Sequence, residues 1–206
     1  MREYGKSRDE KILAGLEKFN YMRSDQIADI YFQSVTKLES RLKKTSERMR
    51  KMHARGYVQR FRFPSEHFIY TIQGNKYNTK INHYLAIVDV WRILRELKPS
   101  GGNLYCEVER KEENIITDLY VEYTNHFTNI KKEYYIEVEL DSTGDIIEKL
   151  EKYEALFWLR KARKQPEGCL CIIYKNKRTW GKIEAYEGEI PINILHLSEV
   201  RDKWTW

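Results

Sequence analysis

The stretch from residue 35 to residue 56 constrains the fold of this chain more than any other part of its sequence. Apolar side chains recur there at the three-, four- and seven-residue steps of one helix side: Val35, Leu38, Leu42, Met49 and Met52. A neighbouring row consists only of cations: Lys37, Arg41, Lys44, Arg48, Lys51 and Arg55. The pattern predicts one helix, or two helices that meet near Thr45, with an apolar side and a cationic side.

Local signals before and after this stretch predict a small domain around it. We expect Ser7 to cap a helix that runs to about Phe19, and Ser24 to cap a shorter helix over residues 25–32. Gly56 tolerates the left-handed conformation that ends many helices, so it is expected to end the basic one.

A β-hairpin is predicted directly after this glycine. Residues 57–63 and 67–72 alternate as strands, and residues 64–66 form a turn that contains a proline. Two helices, a basic helix and a hairpin follow one another in a winged helix-turn-helix, so we predict this fold for residues 1–80. Two segments are similar to that family's common strings: Arg55-Gly56-Tyr57-Val58 and Tyr70-Thr71-Ile72-Gln73-Gly74.

Charge is divided unevenly along the chain. The net charge is +6, but residues 1–80 hold 18 Lys and Arg against 9 Asp and Glu, a balance of +9. The remaining residues hold 19 basic and 22 acidic side chains, a balance of −3. This split indicates a basic half that faces nucleic acid, joined to a neutral or acidic half.

The predicted basic helix is expected to lie in the major groove of double-stranded DNA. The first wing strand would carry two further cations to flanking phosphates or to an adjacent minor groove. The residues predicted to contact DNA are Thr36, Lys37, Ser40, Arg41, Lys44, Arg48, Arg60 and Arg62. The alternative is a winged helix that contacts protein instead of DNA.

The second half of the chain predicts a separate α/β domain. An amphipathic helix over residues 83–97 falls in a predicted helical linker of residues 81–103. Residues 104–206 then contain three strand-like runs, a helix near residues 146–164 and two further strands. The whole chain is therefore expected to be an α+β protein.

Acidic residues stand at informative places in these strands. Asp118 interrupts one apolar strand, and the alternation of the next strand puts Glu137, Glu139 and Asp141 on one face. Carboxylates that converge from neighbouring strands can hold Mg²⁺ and leave room for water and a phosphate. These four residues are candidate metal ligands, and the alternative is a solvated strand face.

Two residues of the following predicted helix could complete such a site. Lys149 and Tyr153 are four apart, which places them on one face of a helix and within reach of a scissile phosphate. The alternative is an exposed lysine and a half-buried tyrosine.

The acids and the order of elements resemble the PD-(D/E)XK nuclease fold. Asp118 would be the first acid, and Glu137-Val138-Glu139 would replace the usual acid-x-Lys. The lysine position is acidic here, a variation that some active members tolerate. The resemblance implies that, if the domain is active, Asp118, Glu137, Glu139 and Lys149 are its catalytic residues and Mg²⁺ its cofactor.

A narrower resemblance covers most of the chain. Three segments are similar to motifs of the replication-relaxation family of plasmids, phages and conjugative elements: residues 116–120, 136–143 and 149–153. That family couples a winged helix to a nuclease-like domain. Here Thr117 stands where the family has proline, and residues 139–143 lack the family's Arg-Gly. In this register Glu139 and Asp141 form the acid pair, whereas the nuclease comparison prefers Glu137 and Glu139.

Three functions are compatible with these patterns. The first is a double-stranded DNA-binding protein of a mobile element, acting in plasmid replication, relaxation, conjugative transfer or their control. Its second domain would then support a homodimer or contact a replication or relaxase protein. The second is a Mg²⁺-dependent endonuclease, and the third is a winged-helix transcriptional regulator whose second domain senses a ligand or partner. The acidic residue at the lysine position and the missing Arg-Gly favour the first function over the second, and so a binding protein over an endonuclease.

The sequence also indicates a cytoplasmic location. No apolar run approaches the ~20 residues that a membrane span needs, and the first residues lack the apolar core of a signal peptide. We therefore expect no contact with a membrane.

Overall fold

The computed structural model describes residues 7–62, 67–76, 78–140, 146–166 and 168–206, without the side chains of residues 177–179. The chain divides into two compact units, Met1–Arg92 and Ile93–Trp206. Both units mix helices with strands, and the second contains a mixed sheet of five strands. The predicted α+β class is therefore confirmed.

The first unit combines helices with a small antiparallel sheet. Its described elements are α1 (Arg8–Phe19), β1 (Met22–Arg23), α2 (Ser24–Tyr31), α3 (Leu38–Ala54), β2 (Val58–Arg62), β3 (Phe68–Ile72) and the larger part of α4 (Ile81–Leu97). The strands are arranged in the order β1-β3-β2, and both pairs are antiparallel. The predicted hairpin strands and the helix predicted over residues 83–97 are present, whereas the predicted turn at residues 64–66 lies outside the described residues.

The starts of the first two helices follow different rules. Ser7 caps α1 as predicted, because its hydroxyl accepts the Glu10 N–H at 3.3 Å while the Glu10 carboxylate accepts the Ser7 N–H at 2.6 Å. The predicted cap at Ser24 is wrong. Met22 and Arg23 pair with β3, so the chain passes from strand to helix one residue earlier and Ser24 becomes the first helical residue.

α3 is one continuous helix, which decides between the one and two helices predicted for this stretch. Its buried side consists of Thr45, Met49 and Met52, and the Thr45 hydroxyl donates to the Arg41 carbonyl at 2.9 Å. Leu38 was expected on that side, but 59% of it is exposed. Leu38 is the first residue of the helix, and the buried residues of α3 begin only two turns later, at Thr45.

The second unit is built on a sheet with the strand order β4-β5-β6-β7-β8. Its described elements, after the end of α4, are β4 (Gly102–Glu112), β5 (Ile115–Asn125), β6 (Lys131–Glu139), α5 (Ile146–Ala162), β7 (Gly168–Tyr174), α6 (Lys177–Glu184), β8 (Ile192–His196) and α7 (Val200–Lys203). The first three strands are antiparallel, whereas β6, β7 and β8 run parallel to one another. The predicted strands and the helix that follows them are confirmed, and α6 was not predicted.

α5 covers one face of this sheet with a mainly apolar core. Three tyrosines are fully buried there: Tyr153 of α5 and the strand residues Tyr120 and Tyr135. The ring of Tyr135 packs against both others, with its centroid 5.3 Å from that of Tyr120 and 6.0 Å from that of Tyr153. Aliphatic side chains of α5 and β7 complete the cluster. The polar residues described below lie at this same helix–sheet interface. Within the described residues, no helix is long and apolar enough to span a membrane.

Candidate nucleic-acid interface and acidic site

The solvent side of α3 carries a dense set of positive charges. We define the cationic face by its exposed members: Lys37, Lys43, Lys44, Arg50, Lys51 and Arg55. Thr36, which precedes the helix, is also exposed, and Ser40 in the first turn is partly exposed. Of the residues predicted to contact DNA in this stretch, Thr36, Lys37, Ser40 and Lys44 are therefore accessible.

Two predicted DNA-contacting arginines are bound to acids of their own unit. Arg41 donates from Nη1 to Asp29 at 3.0 Å and from Nε to the Val35 carbonyl at 3.1 Å. Arg48 forms a two-point ion pair with Asp9, in which Nη2 donates to Oδ2 at 2.6 Å. Their guanidinium groups are engaged in holding α3 to α2 and α1, a role that sequence spacing did not reveal.

Sequence reasoning missed Lys43 and Arg50. Both are exposed on α3, and they are seven residues apart and so lie on the same side of the helix. The signal was available, because a helical projection places them opposite the buried Met49 and Met52. The prediction followed one row of cations and did not consider the width of the exposed surface.

Asp29 lies at the centre of a larger ionic network in the first unit. Its second carboxylate oxygen accepts from Arg92 of α4 at 2.7 Å, so one acid connects α3 to α4. Beside it, Arg23 donates to Asp25 at 3.0 Å and to Asp89 at 3.0 Å. Burial would raise the pKa of Asp25, but the hydrogen bond and charge of Arg23 outweigh it and the pKa is lowered.

Two more predicted DNA contacts lie on the hairpin. Arg60 and Arg62 alternate on β2 and both are exposed. The Arg60 guanidinium stacks over the Phe68 ring of β3 at 5.1 Å from its centroid, which orients it without neutralising its charge. The hairpin therefore adds two exposed cations to those of α3 in the same unit.

The second candidate site brings together acids of β5 and β6 with a lysine of α5. Glu137 and Glu139 lie on the face of β6 toward α5, as the alternation predicted. The Lys149 ammonium forms an ion pair with Glu137 and lies 4.0 Å from Glu139 Oε1. Asp118 Oδ2 accepts the backbone N–H of Val138, between the two glutamates, at 2.9 Å. Asp141, the fourth candidate ligand, lies outside the described residues.

Glu137 is the most enclosed member of this cluster. It is 1% exposed, so the expected alternative of a solvated strand face does not describe it. One carboxylate oxygen accepts from Lys149 and the other accepts from the Tyr153 hydroxyl. The Tyr153 oxygen is also 2.7 Å from the Thr117 hydroxyl of β5. Lys149 and Tyr153 thus share a helix face as predicted, but the tyrosine is fully buried and not half-buried.

Burial and the neighbouring charges perturb these groups strongly. Burial, reinforced by the negative charge of Asp118, raises the pKa of Glu137 well above its usual value, against the opposing effect of Lys149. Burial would lower the pKa of Lys149, but the charges of Glu137 and Asp118 outweigh it and the pKa is raised. Burial followed by the charge of Glu137 also raises the pKa of Tyr153. The charges of the neighbouring acids therefore keep Lys149 protonated.

The backbone opposite Asp118 is irregular. Glu109 of β4 lies between the pairs Val108–Leu119 and Arg110–Thr117, and its φ of 52° is in the left-handed region that non-glycine residues rarely adopt. In a regular strand, residues three apart lie on opposite faces. Thr117 and Tyr120 of β5 nevertheless both lie on the face covered by α5. Asp118 thus lies at an irregularity of the sheet, which the apolar residues around it in the sequence did not predict.

The described residues do not fit a Mg²⁺ site. Both oxygens of Glu137 are taken by donors from α5, and one oxygen of Asp118 accepts a backbone N–H. Mg²⁺ requires near-octahedral oxygen ligands at about 2.0–2.1 Å and usually retains several waters. Among the described residues, no group of three or more His, Cys, Asp or Glu side chains converges in a way that could hold a metal ion.

Comparisons with known proteins do not add a relative to this description. No family model matches the sequence, and no curated protein or solved structure is significantly similar to the chain.

Proposed function

We propose that this chain binds double-stranded DNA through its first unit, with α3 in the major groove and the β2–β3 hairpin as the wing of a winged helix-turn-helix. The observation that carries the proposal is the cationic face of α3, which presents four exposed cations on the helix and two more at its caps, Lys37 and Arg55. Cations clustered on one helix of a small unit are the electrostatic footprint of a nucleic-acid-binding protein.

The ion pairs of the same helix support this assignment. Arg41 and Arg48, held by Asp29 and Asp9, fix the helix to its own unit, while the lysines beside them extend into solvent. A groove-reading helix needs both properties, because a rigid support sets the register in which the free cations meet phosphates and base edges. Arg60 and Arg62 would add phosphate contacts from the wing.

We further propose that the second unit is a PD-(D/E)XK nuclease-like domain that acts as a scaffold. Three antiparallel strands, a helix and a parallel strand, with acids on β5 and β6, are consistent with that fold. The poor fit of the acids to Mg²⁺ favours a DNA-binding protein over an endonuclease. The sequence resemblance makes replication, relaxation or transfer of a mobile element the context, with a replication or relaxase protein or a second copy of the chain as partner.

Duplex binding as a function of salt tests the proposal. We expect the full chain to bind duplex DNA in EDTA with an affinity that falls steeply as salt rises, since each phosphate contact contributes a slope of about −0.9 in log–log form. The triple variant Lys43→Gln, Lys44→Gln, Lys51→Gln should lose most of the affinity and reduce the slope by about 3.

A matched control separates the cationic face from net charge. Lys161, Lys164 and Lys182 of the second unit are also exposed, and changing all three to Gln removes the same charge. Equal losses in both triple variants would contradict the proposed interface. Cleavage of supercoiled plasmid in Mg²⁺ by the wild-type chain, abolished in Glu139→Gln, would instead establish the endonuclease.

A further inference from the structure

One exposed acid, Glu47, lies in the middle of the cationic face of α3. The residues three and four positions before and after it are all exposed cations: Lys43, Lys44, Arg50 and Lys51. A surface that bound DNA through its phosphates alone would be weakened by an acid at this point, because the carboxylate repels the phosphates that the surrounding cations attract. The position of Glu47 therefore calls for a role other than phosphate binding.

Ion pairs within the protein do not engage this acid. Residues three or four apart on a helix can pair, and four cations stand at those distances from Glu47. Within the described residues, however, the ion pairs of α3 are formed by Arg41 and Arg48 with acids of α2 and α1, and Glu47 belongs to neither. The Glu47 carboxylate is thus available to a partner outside the chain.

The direction in which Glu47 leaves the helix matches the centre of a groove. At 3.6 residues per turn, its side chain points about 140–160° away from those of the buried Met49 and Met52. The same projection places two cations about 40–60° to each side of Glu47: Lys43 and Arg50 on one side, Lys44 and Lys51 on the other. When a helix lies in the major groove, its flanks face the two phosphate backbones and its central line faces the base edges.

We propose that Glu47 reads the DNA sequence by accepting a hydrogen bond from the N4 amino group of a cytosine in the major groove. A glutamate can accept from this group, whereas thymine presents a carbonyl oxygen there that would repel the carboxylate. Adenine also has an amino donor, but its N7 acceptor lies beside it and would face the second carboxylate oxygen. This inference deepens the proposed DNA binding by α3 and rests on it, because it adds sequence information that phosphate contacts do not carry.

The helix is anchored directly beside this acid. Arg48, the next residue, forms its two-point ion pair with Asp9 of α1, and the buried Met49 follows it. A base contact requires a side chain that a rigid element holds in a defined geometry. The anchored middle of α3 provides that support for Glu47.

Selection of bound duplexes from a random-sequence pool by the full chain, followed by measurement of dissociation constants, tests the proposal. The wild type should select a site with a C·G pair whose replacement by T·A or A·T weakens binding about tenfold, the effect of losing one base contact. In Glu47→Ala the same replacements should change the affinity less than about twofold, while the preferences at other positions persist. The affinity of Glu47→Ala for unrelated duplex should rise at low salt, because a negative charge has left the phosphate-facing surface.

Two control variants separate the base contact from charge. Glu47→Asp keeps the charge but shortens the side chain, so it should lose the C·G preference without gaining affinity for unrelated duplex. Glu17→Gln removes an exposed acid of α1 in the same unit and should leave the selected site unchanged.

The outcomes distinguish this inference from the proposed function. If the wild type bound duplex but Glu47→Ala kept every base preference, or gained affinity equally for all sequences, Glu47 would not read a base and DNA binding by α3 would stand. The same conclusion would follow if the preference that depends on Glu47 were for A·T. A wild type that bound no duplex would overturn both proposals.

Discussion

The two units use charge in opposite ways. The cationic face of α3 keeps six positive charges exposed to solvent, beside two exposed acids of the same helix, Glu39 and Glu47. The acid cluster of the second unit brings acids together at the edge of a tyrosine-rich core and balances them with the Lys149 ammonium and one hydrogen bond from Tyr153. Uncompensated surface charge is suited to a charged partner, whereas compensated buried charge serves the fold.

The sharpest test of this contrast removes the buried acid. Glu137→Ala leaves Lys149 and the Tyr153 hydroxyl without their acceptor, and we expect a loss of about 3 kcal/mol in the free energy of unfolding of the second unit. Four of the five tryptophans lie in that unit, so urea unfolding followed by tryptophan fluorescence in a Trp91→Phe background reports on it.

Glu148→Ala is the matched control for that experiment. Glu148 is 61% exposed at its side chain and pairs with Lys152 on the same helix, so its removal should change stability by no more than about 0.5 kcal/mol. If Glu137→Ala and Glu148→Ala lowered the free energy of unfolding equally, the buried acid would contribute no more to stability than the exposed one.

A second test asks whether α3 carries both paired cations that stabilise the fold and exposed cations that bind DNA. Arg41→Gln breaks the contact with Asp29 and should lower the stability of the first unit by about 1–3 kcal/mol while leaving the salt slope of DNA binding unchanged. Lys44→Gln should leave stability unchanged and reduce that slope by about 1. If Arg41→Gln reduced the salt slope and left the stability unchanged, Arg41 would be a DNA contact, as the sequence predicted.

The smallest expected effect concerns pH. The raised pKa of Glu137 means that the folded chain holds this proton more tightly than the unfolded chain, whose glutamates titrate near 4.5. The folded state binds more protons in the interval between the two pKa values, so stability contributed by Glu137 is complete below pH 4.5 and is lost as pH rises through the folded pKa. Glu137→Gln should remove this decline. A wild-type unfolding free energy that rises between pH 5 and 8 relative to Glu137→Gln would contradict the assignment.

The sequence predicted the elements better than the contacts of their polar side chains. Ser7 with Glu10, the alternation that places Glu137 and Glu139 on one face, and the helix that carries Lys149 and Tyr153 are local patterns, and each is present. The predicted cap at Ser24 is wrong because β1 pairs with a strand that is distant in sequence, Met22 with Tyr70 and Arg23 with Ile69, which are 48 and 46 residues apart. Long-range pairing of this kind leaves no local signal.

The candidate sites show the same division. Spacing indicated a row of cations but could not show that Asp29 and Asp9, distant in sequence, would form ion pairs with Arg41 and Arg48. Spacing also indicated that acids would converge and that Lys149 could complete their site. It did not show that the Lys149 ammonium would pair with Glu137, since that contact depends on how α5 packs across β6.

By itself the sequence determined most of the helices and strands, the apolar side of most of them, and the concentration of positive charge in the first half. These properties follow from the 3.6- and two-residue periods of the chain and from local capping and turn chemistry. Only the tertiary structure decided which charges remain in solvent and which are neutralised. Whether a charge is neutralised depends on an oppositely charged residue that the fold brings from a distant position in the sequence. It also depends on burial, because an unpaired buried charge is strongly unfavourable.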